Sequence, residues 1–202
     1  MLVWLKAVLI GINLYKEVWV IAGGGMLVFA LLHHSRINFM KGILDQLFVF
    51  YICCVCALVF FPLPTAEEAM NLTYRIQLVP FAWIANAIEE QSARAIINFA
   101  LNIIMTIPLG MYLRYRLSLE AKQVLLISFF FTTFIEFGQL TGLFFYYQGS
   151  YRLCDVDDII SNTLGGYMGY TIVRLVEKYV PAIECFDLYA DGKVRENMRK
   201  TV

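Results

Sequence analysis

Three carboxylates fall within four residues at Asp155, Asp157 and Asp158, and a fourth, Glu136, stands in TTFIEFGQLTG, inside an expected membrane span. Carboxylates this close together can hold a divalent cation through oxygen ligands, and a carboxyl held in an apolar site is a candidate general acid or base. A structural alternative stands beside this chemistry. The acidic cluster lies where the segment ISNTLGGYMGY would begin a helix, and acidic residues there are favoured by capping and by the helix dipole, each worth about 0.3 to 2 kcal/mol. Capping accounts for one or two of the three. Asp155 reads first as a cap, whereas Asp158, one turn before Asn162, reads first as part of a polar site.

The elements that must position these groups are membrane helices. Of 202 residues, 60% are hydrophobic and 16% charged, well above the apolar share of ordinary soluble domains. Such a chain has room for about five or six crossings of roughly 20 residues each and little left for a soluble domain. With a formal charge of +0, any electrostatic role must come from where the charges sit, and nothing suggests nucleic-acid binding. Apolar runs predict spans at Val18 to Leu32, Leu44 to Phe61, Ala95 to Leu113, Val124 to Tyr146 and Ile159 to Val180. The expected fold is therefore an all-α, polytopic membrane helix bundle of about five transmembrane helices. Residues 1 to 13 would give about 20 Å of helix, short of a crossing, so an N-terminal interfacial or re-entrant helix is expected there. Gly23, Gly24 and Gly25 mark close packing or a bend in the first span. Residues 1–180 read as one transmembrane domain and 181–202 as a charged tail.

Orientation follows from lysine and arginine. Arg36 and Lys41 fall in one connection, Arg114, Arg116 and Lys122 in another, and Lys193, Arg195, Arg199 and Lys200 in the tail, so those segments and the C-terminus are expected in the cytoplasm. The 62–94 and 147–158 loops then face out, although Lys6 and Lys16 oppose an external N-terminus. The 62–94 loop is too apolar in its middle for a solvated linker, and part of it is expected on the membrane surface. Cys53, Cys54 and Cys56 lie in an apolar run without zinc spacing and read as small packing residues. Cys154 and Cys185 are expected on opposite sides of the membrane, against a disulfide framework. His33 and His34 read as ordinary surface histidines.

Polar residues inside the spans carry the most information, because a charge at mid-membrane costs about 2.5 to 3.5 kcal/mol on insertion scales unless it finds partners or water. Glu136 lies about ten residues from either end of its expected span. Gln139, Thr132 and Thr133 fall near its helical face, while Asn98, Asn102 and Thr106 form a second stripe before Pro108 and Gly110, which are expected to interrupt that helix. In the last span Asp158, Asn162, Gly165 and Gly169 recur at helical spacing, and Gly165 and Gly169 make the small-xxx-small pattern of close helix approach. Tight contact and acidic cluster are thus expected to share one water-accessible, helix-packed pocket.

LNIIMTIPLGMYL, then IEFGQL, then RLCDVDDIISNTLGGYMGY, with LVPF upstream, resemble in order and spacing the signature series of the VanZ-like membrane proteins. The resemblance runs from about residue 76 to 175 and falls on Asn102, Pro108, Gly110, Glu136, Gln139, Arg152, Asp155, Asp158, Asn162, Gly165 and Gly166. It implies a multi-pass protein of the bacterial cell membrane, in a family whose named member gives low-level resistance to teicoplanin, a lipid-tailed glycopeptide antibiotic. Resistance is an effect and names no reaction.

Three functions are compatible with these residues. In the leading one, Asn102, Glu136, Gln139 and Asn162 line an outward-facing pocket for an amphiphile, a membrane lipid, lipid-linked cell-wall precursor or lipoglycopeptide, while Arg152, Asp155 and Asp158 meet its head group. In the second, an intramembrane enzyme acts on a lipid head group with Glu136 or Asp158 catalytic and Asp155, Asp157 and Asp158 holding a divalent cation, the one cofactor in view. In the third, Glu136 carries protons in a transporter; a structural interhelical hydrogen bond is the alternative for that residue.

Overall fold

In the computed structural model residues 6, 9–19, 38–89 and 93–186 are described, and they are mostly helical. Residues 9–19 form helix α1. There follow α2 (Phe39–Phe60), the short α3 (Ala66–Met70), strand β1 (Ile76–Gln77) and α4 (Ala82–Glu89). The chain continues through α5 (Arg94–Tyr115), α6 (Ala121–Leu140), a single turn, α7 (Gly142–Phe145), strand β2 (Cys154–Asp155), α8 (Val156–Val176) and a 3-10 turn at Ile183–Phe186.

Three helices are long and apolar enough to cross a membrane, at Met40–Phe60, Arg94–Tyr115 and Ala121–Leu140. The fifth expected span corresponds to α8, which has the length at 21 residues but not the composition, because its first half is occupied by Asp157, Asp158, Ser161, Asn162 and Thr163. The first expected span, with Gly23 to Gly25, His33 and His34, lies almost wholly outside the described residues, as does most of the charged tail. Helix α1 runs across the expected boundary at Val18.

The chain divides into two units, with breaks inside α2 and α8. In the first, from Met1–Leu58 and Arg174–Val202, Gly11 of α1 lies so close to α2 that a Cβ would stand 3.0 Å from the Cys54 Cα. Tyr15 meets Phe50 edge-on at 5.3 Å and donates its hydroxyl to Gln46. Asn38 caps α2 by accepting from the Lys41 amide, and its side-chain amide donates to the Ile183 carbonyl at 2.8 Å. The cysteines of α2 are free thiols, as are Cys154 and Cys185.

The second unit, Val59–Val173, is organised by α8. A Cβ on Gly165 would fall 2.2 Å from the Ile103 carbonyl oxygen, one on Gly169 2.1 Å from that of Ile107, and one on Gly110 1.8 Å from that of Gly166. The backbones of α5 and α8 therefore touch along two turns, as the small-xxx-small spacing predicts. Gly166 receives Ser128 of α6, so α8 is in close contact with both neighbours. Pro108 does not interrupt α5, which continues unbroken to Tyr115; proline removes one donor, and the glycine after it serves the α8 contact.

The fold is mostly helical, as expected, with one short addition: β1 and β2 pair in parallel with Ile76 opposite Cys154 and Gln77 opposite Asp155. One further expectation is corrected. The right-handed helix expected to reach Tyr146 ends at Leu140: Gly142, Leu143, Phe144 and Phe145 all take positive φ, between 56 and 71°, a left-handed turn that L-residues enter at about 1 to 2 kcal/mol each. The rings offset this, with Phe144 packed against Phe134 at 4.8 Å and near Phe60 and Phe137.

Candidate functional site

The polar stripes of α5, α6 and α8 meet where α8 begins. The Asp155 amide donates to Oε2 of Glu136 at 3.0 Å, a contact made available because β2 brings that backbone past the last turn of α6. Glu136 is 3% exposed, and because α6 stops at Leu140 it lies four residues, about 6 Å, from the helix end, much nearer than a span running to Tyr146 predicts. Asn102 of α5 donates its side-chain amide to Oδ1 of Asp158 at 2.5 Å. One turn along α8, Asn162 donates to Thr132 Oγ1 at 3.1 Å, and its backbone carbonyl accepts from Thr106 Oγ1 at 2.7 Å. Asn102, Glu136, Asp155, Asp158 and Asn162 thus come together, each tied to a neighbouring element.

Other candidates turn elsewhere. Gln139 donates to the Val59 carbonyl at 2.9 Å and Arg152 to the Phe61 carbonyl at 2.7 Å, so both fasten the chain at the end of α2. Asn98 is exposed, and Thr133 bonds back to the Phe129 carbonyl of its own helix. Neither joins the stripe that residue spacing assigned it.

The three aspartates also separate. Asp155 Oδ1 accepts from the Asp157 amide at 2.9 Å, the geometry of a cap on α8. Burial, followed by the Asp157 charge, pushes the Asp155 carboxyl above the ordinary range against the opposing pull of the Asp157 amide. Asp157, 3% exposed, faces the other way: its two oxygens accept from the amides of Phe81 at 2.6 Å and Trp83 at 3.2 Å, at the entry to α4. Ser150 makes a parallel tie, accepting from the Arg75 amide and donating to the Thr73 carbonyl. Among the described residues no three His, Cys, Asp or Glu side chains are grouped to hold a metal ion. The aspartates offered by the sequence as an oxygen-ligand set have different partners.

Sequence spacing alone did not single out Cys154 or the latching role of Asp157. The Cys154 thiol hydrogen-bonds the Glu136 carboxylate; burial and that carboxylate's charge push it up to about 11. It stays protonated near neutrality and is a poor nucleophile. The available signal was the alternation of β2, which turns Cys154 and Asp155 to opposite faces.

Chemically, the cluster is rich in acceptors. The ion pairs of Arg114 with Glu120 and of Arg174 with Glu177 involve none of Glu136, Asp155 and Asp158. The donors to these three carboxyl groups are a side-chain amide, backbone amides and the Cys154 thiol, all neutral.

Comparison with curated proteins gives no match, and comparison with solved structures gives none. A family model described as VanZ/LLP1 matches residues 48–177, which include every residue of the cluster. On that match the chain belongs to the VanZ/LLP1 family.

Proposed function

We propose that this protein crosses the bacterial cell membrane about five times, with its C-terminus in the cytoplasm, and binds an amphiphile at the outer leaflet through the cluster at the start of α8. The ligand class is a lipid-linked cell-wall precursor or a lipoglycopeptide, and binding lowers susceptibility to teicoplanin. The observation that carries this reading is the convergence of Asn102, Glu136, Asp155, Asp158 and Asn162 from three helices and a strand at the end of α6. Intramembrane polar groups gathered at a helix seam mark a ligand or ion path more often than they serve packing alone. Exposed apolar side chains just after β1, which pairs with β2, and in α4, namely Leu78, Val79, Ile84 and Ile88, supply surface for an acyl chain. Lysine and arginine in the other connections support the outward orientation.

The test is teicoplanin susceptibility of cells expressing wild type, Glu136→Gln or Asp158→Asn at matched membrane abundance. Protection by wild type and its loss in both variants supports the reading. Equal protection by all three shows that the cluster does not carry the effect, and no protection by wild type removes teicoplanin from the proposal.

A further inference from the structure

We propose that the group this site takes is a primary ammonium; the inference rests on the ligand-binding reading above and narrows it to a chemical class. The cluster has an excess of acceptors. Glu136, Asp155 and Asp158 each accept from one neutral amide, Glu136 also from the neutral Cys154 thiol, and no lysine, arginine or histidine among the described residues forms an ion pair with them. Arg152 donates to the Phe61 carbonyl.

A separate observation points the same way. Asn162 is 2% exposed and its Oδ1 is buried without a hydrogen-bond partner, where buried polar atoms are ordinarily satisfied. Its Nδ2 is anchored on Thr132, one turn before Glu136 in α6. Helical side chains lean toward the helix N-terminus, which in α8 is the Asp158 turn. Asn162 thus stands one turn from Asp158 in α8 and is bonded to a residue one turn from Glu136 in α6, so its orphaned oxygen borders the seam between the two acids.

An ammonium supplies what is missing: one positive charge and three donors, with no acceptor of its own. Its hydrogen bonds run at about 2.7 to 2.9 Å, so it tolerates oxygens spread more widely than a divalent metal, which needs six or more ligands at about 2.0 to 2.6 Å. A quaternary ammonium has the charge and lacks the donors, which makes it the discriminating control.

The experiment uses the full chain in phosphatidylcholine nanodiscs, which carry no primary amine, with binding followed by isothermal titration. The probes are dodecylamine, dodecyltrimethylammonium, dodecyl phosphate and ethanolamine. Dodecylamine is expected to bind saturably, at least tenfold tighter than dodecyltrimethylammonium, and at least tenfold weaker in Asp158→Asn. The comparison of the two amines on wild type needs no variant to fold. Equal binding of the two amines, or displacement of dodecylamine by millimolar sodium, overturns the ammonium assignment. Saturable binding of dodecyl phosphate alone, dependent on Glu136 and Asp158, overturns it and leaves the ligand-binding reading standing. No saturable binding of any dodecyl probe overturns both. Ethanolamine binding as tightly as dodecylamine supports the ammonium and assigns it to a free amine; ethanolamine binding at least tenfold weaker supports it and assigns it to a lipid.

Discussion

The Asp155 amide and the Glu136 carboxylate, 19 residues apart in sequence, are hydrogen-bonded at 3.0 Å. The backbone that enters α8 is thereby fastened to a buried acid near the end of α6. Glu136→Gln keeps an acceptor for that amide and removes the charge, whereas Glu136→Ala leaves the amide unsatisfied at a cost of about 1 to 3 kcal/mol. Thermal unfolding in detergent should therefore show Gln close to wild type and Ala clearly lower, with ligand binding lost in both. Equal destabilisation by the two variants would mean that the charge, and not the acceptor, holds the fold.

Contact between α5 and α8 depends on glycine. Gly110→Ala would place a Cβ 1.8 Å from the Gly166 carbonyl oxygen, a backbone atom that cannot rotate away, and overpacking of this kind costs about 1 to 3 kcal/mol or more. At Gly42 in α2 a Cβ meets nothing within 4 Å, and alanine there should gain about 0.5 to 1 kcal/mol from lower backbone freedom. Opposite shifts in melting temperature for the two variants are expected, and a neutral Gly110→Ala would contradict the packing.

Asp157 fixes the start of α4 by accepting from two amides. In Asp157→Ala the amides of Phe81 and Trp83 should exchange with deuterium at least tenfold faster, corresponding to about 1.4 kcal/mol or more of lost protection, while amides in mid-α5 keep their rates. Unchanged exchange at Phe81 and Trp83 would show that α4 is held by other contacts, such as the stacking of Trp83 on Phe99 at 4.7 Å.

Cys154 provides the pH test. With its thiol pushed up to about 11, alkylation by a maleimide should stay slow at pH 8 and rise about tenfold per pH unit toward that value, since the thiolate is the reactive form. A single-cysteine variant retaining the exposed Cys185 serves as the fast reference at pH 8. Comparable rates for the two at pH 8 would show that Cys154 is neither buried nor beside a carboxylate.

Much of the cluster was legible because the membrane makes polar residues conspicuous. Asn102, Glu136, Asp158 and Asn162 stand out against apolar surroundings, and Gly165 and Gly169 announce a close helix contact by their spacing. Spacing was less reliable for Asn98 and Thr133, because the polar faces of α5 and α6 are narrower than a helical-wheel reading suggests. What the sequence did not disclose depends on backbone groups paired over long separations, such as the Phe81 amide with Asp157 and Ile76 with Cys154. An apolar run is also blind to handedness, so FFYY after Gly142 looked like more helix.

That reversal of hand sets a depth. Past Leu140 the chain cannot continue as a right-handed coil, so α6 has no means of growing outward to match a thicker bilayer. If the proposed orientation holds, added membrane thickness would submerge Glu136 and would not lengthen the helix around it. Bilayer composition then becomes a control on the hydration of this acid, set by four backbone torsions at Gly142 to Phe145 and the rings that hold them.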